Sequence, residues 1–144
     1  MKKLLVTVAM CAGLYFAVFT QAQSVASSHD KNCMVTVPAG WSVDAIFGLA
    51  NAPDKKNSVT VSNNKSSKTI ADLKGILPMV YPGGSFSGET ATELWMTGKT
   101  PNGMHMLTYH ALKGTTGICI SEFDYDDPAM AATAKSVLGT LKAK

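Results

Sequence analysis

Between positions 90 and 124 the chain alternates apolar and polar residues in three runs, 90–98, 104–112 and 117–124, with a short turn between each run and the next. A period of two sends successive side chains to opposite faces of a strand, so each run reads as a strand with one buried face. Thr100-Pro101-Asn102-Gly103 makes the first corner and Lys113-Gly114-Thr115-Thr116 the second. Corners this short join antiparallel neighbours, because a parallel pair needs a crossover of a dozen residues or more. The expectation is an antiparallel three-strand meander whose apolar face has to be covered by other elements.

Two helices are available to cover it. Thr69 is placed as an N-cap, and Ile70, Leu73, Ile76, Leu77 and Val80 follow at helical spacing. Pro78 lies inside that pattern and predicts a kink or an end near Leu77. Near the C-terminus Asp127 reads as an N-cap with Pro128 at the first helical position. Met130, Ala134, Val137, Leu138 and Leu141 make one stripe, and Lys142 and Lys144 are expected at the negative end of the helix dipole. Cys33-Met34-Val35-Thr36-Val37 is a short strand stopped by Pro38-Ala39-Gly40, and 58–62 is a second, β-branched one. Residues 41–47 fit a strand or a helical turn, with strand preferred, and 52–57 is a turn-rich connection. The fold class expected is α+β: an antiparallel sheet packed by a middle helix and a C-terminal helix, in a single domain over 33–144.

The N-terminus predicts export. Lys2 and Lys3 precede an apolar run of about sixteen residues, and Thr20-Gln21-Ala22 offers small side chains for cleavage after Ala22. An uncleaved anchor is the alternative, but the run is short against the roughly 20 residues of a membrane span. A lipoprotein site at Cys11 is disfavoured by the bulk of Met10. With 1–22 removed, 23–32 reads as a flexible, polar lead-in, and no remaining run is long enough to span a bilayer. Losing Lys2 and Lys3 reduces the formal charge from +3 to +1. Every basic residue is lysine; with no guanidinium forks and almost no net charge, nucleic acid is not an expected partner. Cleavage also removes Cys11 and leaves Cys33 and Cys119. In an exported chain these read first as a disulfide, with two separate buried thiols as the alternative. The expected location is periplasmic or extracellular.

The order of elements carries a resemblance. Val35-Thr36-Val37-Pro38-Ala39-Gly40-Trp41 near the start, a helix midway, a meander, and a last helix ending in Val137-Leu138-Gly139-Thr140-Leu141 resemble the PsbP/Mog1-like fold, as in bacterial envelope proteins similar to DcrB. That resemblance implies the fold and an accessory or binding role. The family has no common catalytic set, so it supplies no catalytic residue.

Candidate sites follow from the shortest register, in which Gly98 faces Met104 and Met96 faces Met106. Met96, Met104 and Met106 then share a face with Leu94, Leu112 and Phe123. Soft thioethers select Cu(I), which makes a periplasmic copper carrier the alternative function, while methionine is equally a filler of apolar cores. The same register sets His105 opposite Asp124 beside Glu122, a pairing that orients a general base. A small hydrolase is the third reading, but Ser121 is expected on the other face and Cys119 in a disulfide, so no nucleophile joins it. His110 faces away from His105, against a zinc pair. Glu122, Asp124 and Asp126 alternate at about 7 Å, too far apart to share one hard cation, and read with Asp127 as a solvated strand end. Gly83-Gly84-Ser85-Phe86 has no following lysine and is not a phosphate cradle; it reads as a mobile loop and the first choice of contact surface. Trp41 and Trp95 read as core or core-edge residues, with a partner anchor as the alternative. The leading expectation is an exported, non-enzymatic accessory protein that binds an unidentified protein or envelope component, with no cofactor, metal or catalytic residue assigned.

Overall fold

The computed structural model describes residues 21–144, so all but the last two residues of the expected export signal lie outside the described residues. In chain order the elements are β1 (Gln23–Ala26), β2 (Cys33–Val37), β3 (Ser42–Asp44), β4 (Leu49–Asn51), β5 (Asn57–Asn64), α1 (Ile70–Val80), β6 (Ser85–Glu89), β7 (Glu93–Lys99), β8 (His105–Leu112), β9 (Ile118–Tyr125), α2 (Ala131–Leu138) and β10 (Lys142–Ala143). A seven-stranded antiparallel sheet runs β3-β4-β5-β9-β8-β7-β6, and a second sheet of three strands runs β1-β2-β10. The architecture is α+β. Helix α1 covers one face of the large sheet; α2 and the small sheet cover the other.

Those two faces hold two cores. On the α2 side Val35, Val59, Val61, Phe123, Val137 and Leu138 pack together, with Trp41 edge-on to Phe123 at 5.7 Å. On the α1 side Ile70, Leu73 and Leu77 of the helix meet Leu94, Met96, Met106 and Ile118 of the sheet. Thr69 and Asp72 cap α1 reciprocally, each side chain accepting from the other's backbone N–H at 3.0 Å. Pro78 does not end the helix, which runs on to Val80; the Tyr81 N–H still reaches the Leu77 carbonyl at 2.8 Å.

The meander forms as expected, but both registers differ from the shortest-turn reading. Gly98 pairs with Met106 rather than Met104, because the β7–β8 turn takes in Met104, whose carbonyl accepts from Thr100 N–H at 3.0 Å. That shift of two keeps every side chain on its face. The β8–β9 connection is longer by one: Gly114–Thr116 forms a 3₁₀ turn and Gly117 adopts φ +96°, so His105 pairs with Tyr125 and not Asp124. A slip of one residue exchanges the faces. Phe123 therefore leaves the methionines for the α2 side, and Ser121 lies on the His105 face, not opposite it.

Three further segments depart from the sequence reading, and a fourth, 41–47, is a strand as preferred over only part of its length. Residues 23–32 are not a loose lead-in: β1 pairs with β2, Val25 is fully buried, and Asp30 ties down the connecting loop. Its carboxylate accepts from Ser27 Oγ, Asn32 N–H and Asn63 Nδ2 and pairs with Lys65 at 2.9 Å. These bonds, the Asn32 N–H foremost, hold its pKa well below the ordinary carboxylate range. Ser85 and Phe86 belong to the edge strand β6, which lacks an alternating pattern because all five of its residues are exposed. Residues 128–130 form a 3₁₀ turn before α2, and the helix stops at Leu138. Lys142 and Lys144 thus lie beyond its end, with Lys142 in β10 beside β2. Finally, 41–47 holds the short strand β3 and the turn into β4.

That turn closes on Gly48, at φ +63°, where an added Cβ would lie 2.6 Å from the Val61 carbonyl oxygen and 2.9 Å from that of Ala26. Both neighbours are backbone and cannot rotate away. Gly48→Ala is expected to cost about 3 kcal/mol, adding left-handed strain to overpacking. Urea denaturation measures it; an unchanged midpoint contradicts the turn.

Candidate functional site

The C-terminal end of α1 builds a cleft of about 430 Å³ against the sheet. Val80, Tyr81 and Pro82 form one wall, Thr100 and Pro101 of the β7–β8 turn the other, and Met106 and Glu122 the floor. The volume lies within the range of small-ligand sites, roughly 300–1,000 Å³. Val80, 59% exposed, lines it, and Met79, 76% exposed, precedes Val80 at the helix end.

The polar groups here follow from the β9 register. Glu122 and Asp124 share the α1 face, paired across the sheet with Thr108 and Met106. Tyr81 donates its hydroxyl to Glu122 Oε2 at 2.6 Å, a latch from the helix end to β9. Burial, then the neighbouring Glu122, pushes the phenol pKa up, so Tyr81 remains a donor. Burial first, and then the charge and hydrogen bond of Glu122, pushes Asp124 up to about 7. Asp124 Oδ1 is buried without a hydrogen-bond partner. Next along β8, His110 is wholly buried with Nε2 2.9 Å from Thr108 Oγ1, and burial lowers its pKa to about 4, leaving a neutral ring. Glu122, held by the Tyr81 phenol, is the carboxylate that lines this cleft, and Asp124 lies two residues further along β9 on the same face of the sheet.

These shifts oppose each other in stability. The folded chain keeps the Asp124 proton where the unfolded chain has lost it, so that contribution declines as pH rises from about 4 to about 7. Folding denies His110 a proton that the unfolded chain binds, so its contribution declines as pH falls from the ordinary 6.5 to about 4. Asp124→Asn removes the first slope. Its urea midpoint should rise with pH between about 4 and 6.5 and exceed that of the wild type near pH 8. A midpoint that tracks the wild type across the range contradicts the Asp124 assignment.

The residues singled out from the sequence are distributed differently. Met96 and Met106 are buried beneath α1, their sulfur ends against Gly84 and Gly98, while half-buried Met104 stays in the turn outside that cluster. His105 stacks on Tyr125 at 5.3 Å and its Nε2 lies 3.1 Å from Lys99 Nζ, so it meets neither Asp124 nor Glu122. Cys33 and Cys119 form the disulfide, joining β2 to β9, both fully buried. Trp41 is core; Trp95 stacks on Tyr109 at 4.1 Å under Lys135. Gly83 and Gly84 lead from the cleft wall into β6, whose Phe86 lies under Lys74. Among the described residues no group of three or more His, Cys, Asp or Glu gathers to hold a metal. Tyr81, Pro82 and Pro101 carry no spacing signal; the nearest cue is a tyrosine closing an amphipathic helix just before a proline.

No protein-family model matches the sequence, and no curated protein matches it. Among solved structures, the fold is similar to the solution structure of cyanobacterial PsbP (CyanoP) from Synechocystis sp. PCC 6803. The TM-score is 0.51 and the identity 16%, covering 95% of this chain and 99% of that one. The chain thus has a PsbP-like fold, as the strand-Pro-Ala-Gly-Trp element and the order of elements imply. No helix among the described residues is long and apolar enough to cross a membrane.

Proposed function

We propose that this is an exported, single-domain, non-enzymatic accessory protein of the cell envelope that binds its partner through the cleft at the C-terminal end of α1. Three features support the setting: the signal-like residues 1–22 with cleavage after Ala22, the disulfide between Cys33 and Cys119, which suits an oxidising periplasmic or extracellular site, and the PsbP-like fold. The observation that carries the site is the cleft itself, with exposed Val80 in its wall and exposed Met79 preceding it at the helix end. Large apolar side chains left exposed beside a concave surface mark an interaction site. A tagged wild-type protein and a Met79→Asp variant are compared in capture from an envelope extract. The expected result is a partner held by the first and lost by the second while both melt alike. A partner held equally by both refutes the cleft as the contact.

A further inference from the structure

We infer that the group entering this cleft is an alkylammonium, presented by the partner as a lysine side chain whose ammonium meets Glu122, within the field of Asp124 behind it, and whose methylenes lie along Met106, Val80 and Pro101. This rests on the reading of the cleft as the partner's contact. Charge selects the ligand. Two ionisable side chains line the cleft besides Tyr81, namely Glu122 and Lys99. Lys99 does not neutralise the floor: its ammonium lies 3.1 Å from His105 Nε2, and His105 stacks on Tyr125, on the α2 face of the sheet. The floor therefore presents Glu122, with Asp124 behind it on the same face, outside the lining, its Oδ1 buried and without a partner. A neutral ligand leaves the Glu122 charge uncompensated and an anion is repelled, whereas an ammonium supplies a positive charge and three donors.

Geometry separates ammonium from guanidinium. Tyr81 already occupies Glu122 Oε2, so this carboxylate cannot accept a two-pronged fork, while a point charge with rotatable donors needs only the free oxygens. The apolar walls suit the methylene stem of lysine, which buries its chain while its head stays polar. Exposed Met79 and Val80 favour a macromolecule that covers them over a free amine. Binding is coupled to protons: the cation competes with the proton that Asp124 holds below about pH 7.

The test is calorimetric titration of the protein with a capped pentapeptide, acetyl-Ala-Leu-Lys-Leu-Ala-amide, against its norleucine and arginine counterparts and against butylamine. The expected result is that the lysine peptide binds roughly tenfold tighter than the norleucine peptide. Its affinity weakens several-fold between about pH 8 and about pH 5 as Asp124 takes its proton. Glu122→Gln should lose the lysine preference, and Asp124→Asn should lose the pH dependence. In the unaltered protein, which avoids any folding defect, the methyl resonances of Met106 and Val80 should move on titration while those of Leu138 do not. Equal binding of lysine and norleucine peptides, equal or tighter binding of the arginine peptide, butylamine binding as tightly as the peptide, or no binding at all overturns the inference. Because capture by wild type and Met79→Asp is read separately, a failed lysine titration with Met79-sensitive capture removes this inference alone. Lysine binding with Met79-insensitive capture removes the partner site instead.

Discussion

Replacing Cys33 and Cys119 together by serine should lower the unfolding free energy by about 4–5 kcal/mol, the largest effect expected of any change in this chain. The bond closes a loop of sequence separation 86, and in the chain-entropy model a loop of that size constrains the unfolded chain strongly. Its position matters as much as its length. Cys33 begins β2 in the three-stranded sheet, and Cys119 lies near the start of β9, the middle strand of the seven-stranded sheet. The bond therefore ties together the two sheets that enclose the α2-side core. Both cysteines are wholly buried, so alkylation after reduction should require unfolding. Urea denaturation of the double variant, with mass analysis of the alkylated wild type, measures both points. A loss below about 1 kcal/mol, or ready labelling of the native chain without reductant, contradicts the bond.

Phe123→Ala should cost about 3–5 kcal/mol, the range for removing a buried aromatic ring from a core that cannot collapse around the void. Phe123 is fully buried in β9, between Val59 of β5 and Leu107 of β8 in register, with Trp41 edge-on at 5.7 Å and Tyr125 at 6.0 Å. By contrast Phe86→Ala, on the exposed edge strand, should change stability by roughly 0.5 kcal/mol or less. A double-mutant cycle decides which face Phe123 occupies. Coupling between Phe123→Ala and Trp41→Ala of about 0.5 kcal/mol or more, with Phe123→Ala and Met106→Ala nearly additive, supports the register. The reverse pattern would put Phe123 back among the methionines.

The extent of what the sequence made legible turns on turn length. Strand alternation located β5, β7, β8 and β9 within a few residues, and the Thr69 cap located α1, because periodicity and capping are local. The disulfide partners followed from counting. Faces across the meander did not follow, since one extra residue at Gly117 reverses the parity of β9 and no pattern in Lys113-Gly114-Thr115-Thr116 announces it. That single reversal moved Phe123 to the other core and parted His105 from Asp124. It leaves Glu122 and Asp124 on the α1 face, where Tyr81 reaches Glu122. Exposed β6, four-residue β1 and two-residue β10 escaped notice because exposed or very short strands carry too little alternation; tertiary pairing decides them. The cleft was invisible for the same reason: its walls come from the end of a helix, a turn and two strands that only the assembled sheet brings together.

The central claim is that the α1-end cleft is where this chain meets its partner. The direct measurement is site-specific photo-crosslinking in the envelope, with a photoreactive residue placed at Met79, at Val80, or at Lys135 on α2 across the large sheet. One partner should be crosslinked from positions 79 and 80, be absent from 135, and be lost from both when Glu122 is changed to Gln. A partner captured from 135 alone, or equally from all three positions, would contradict it.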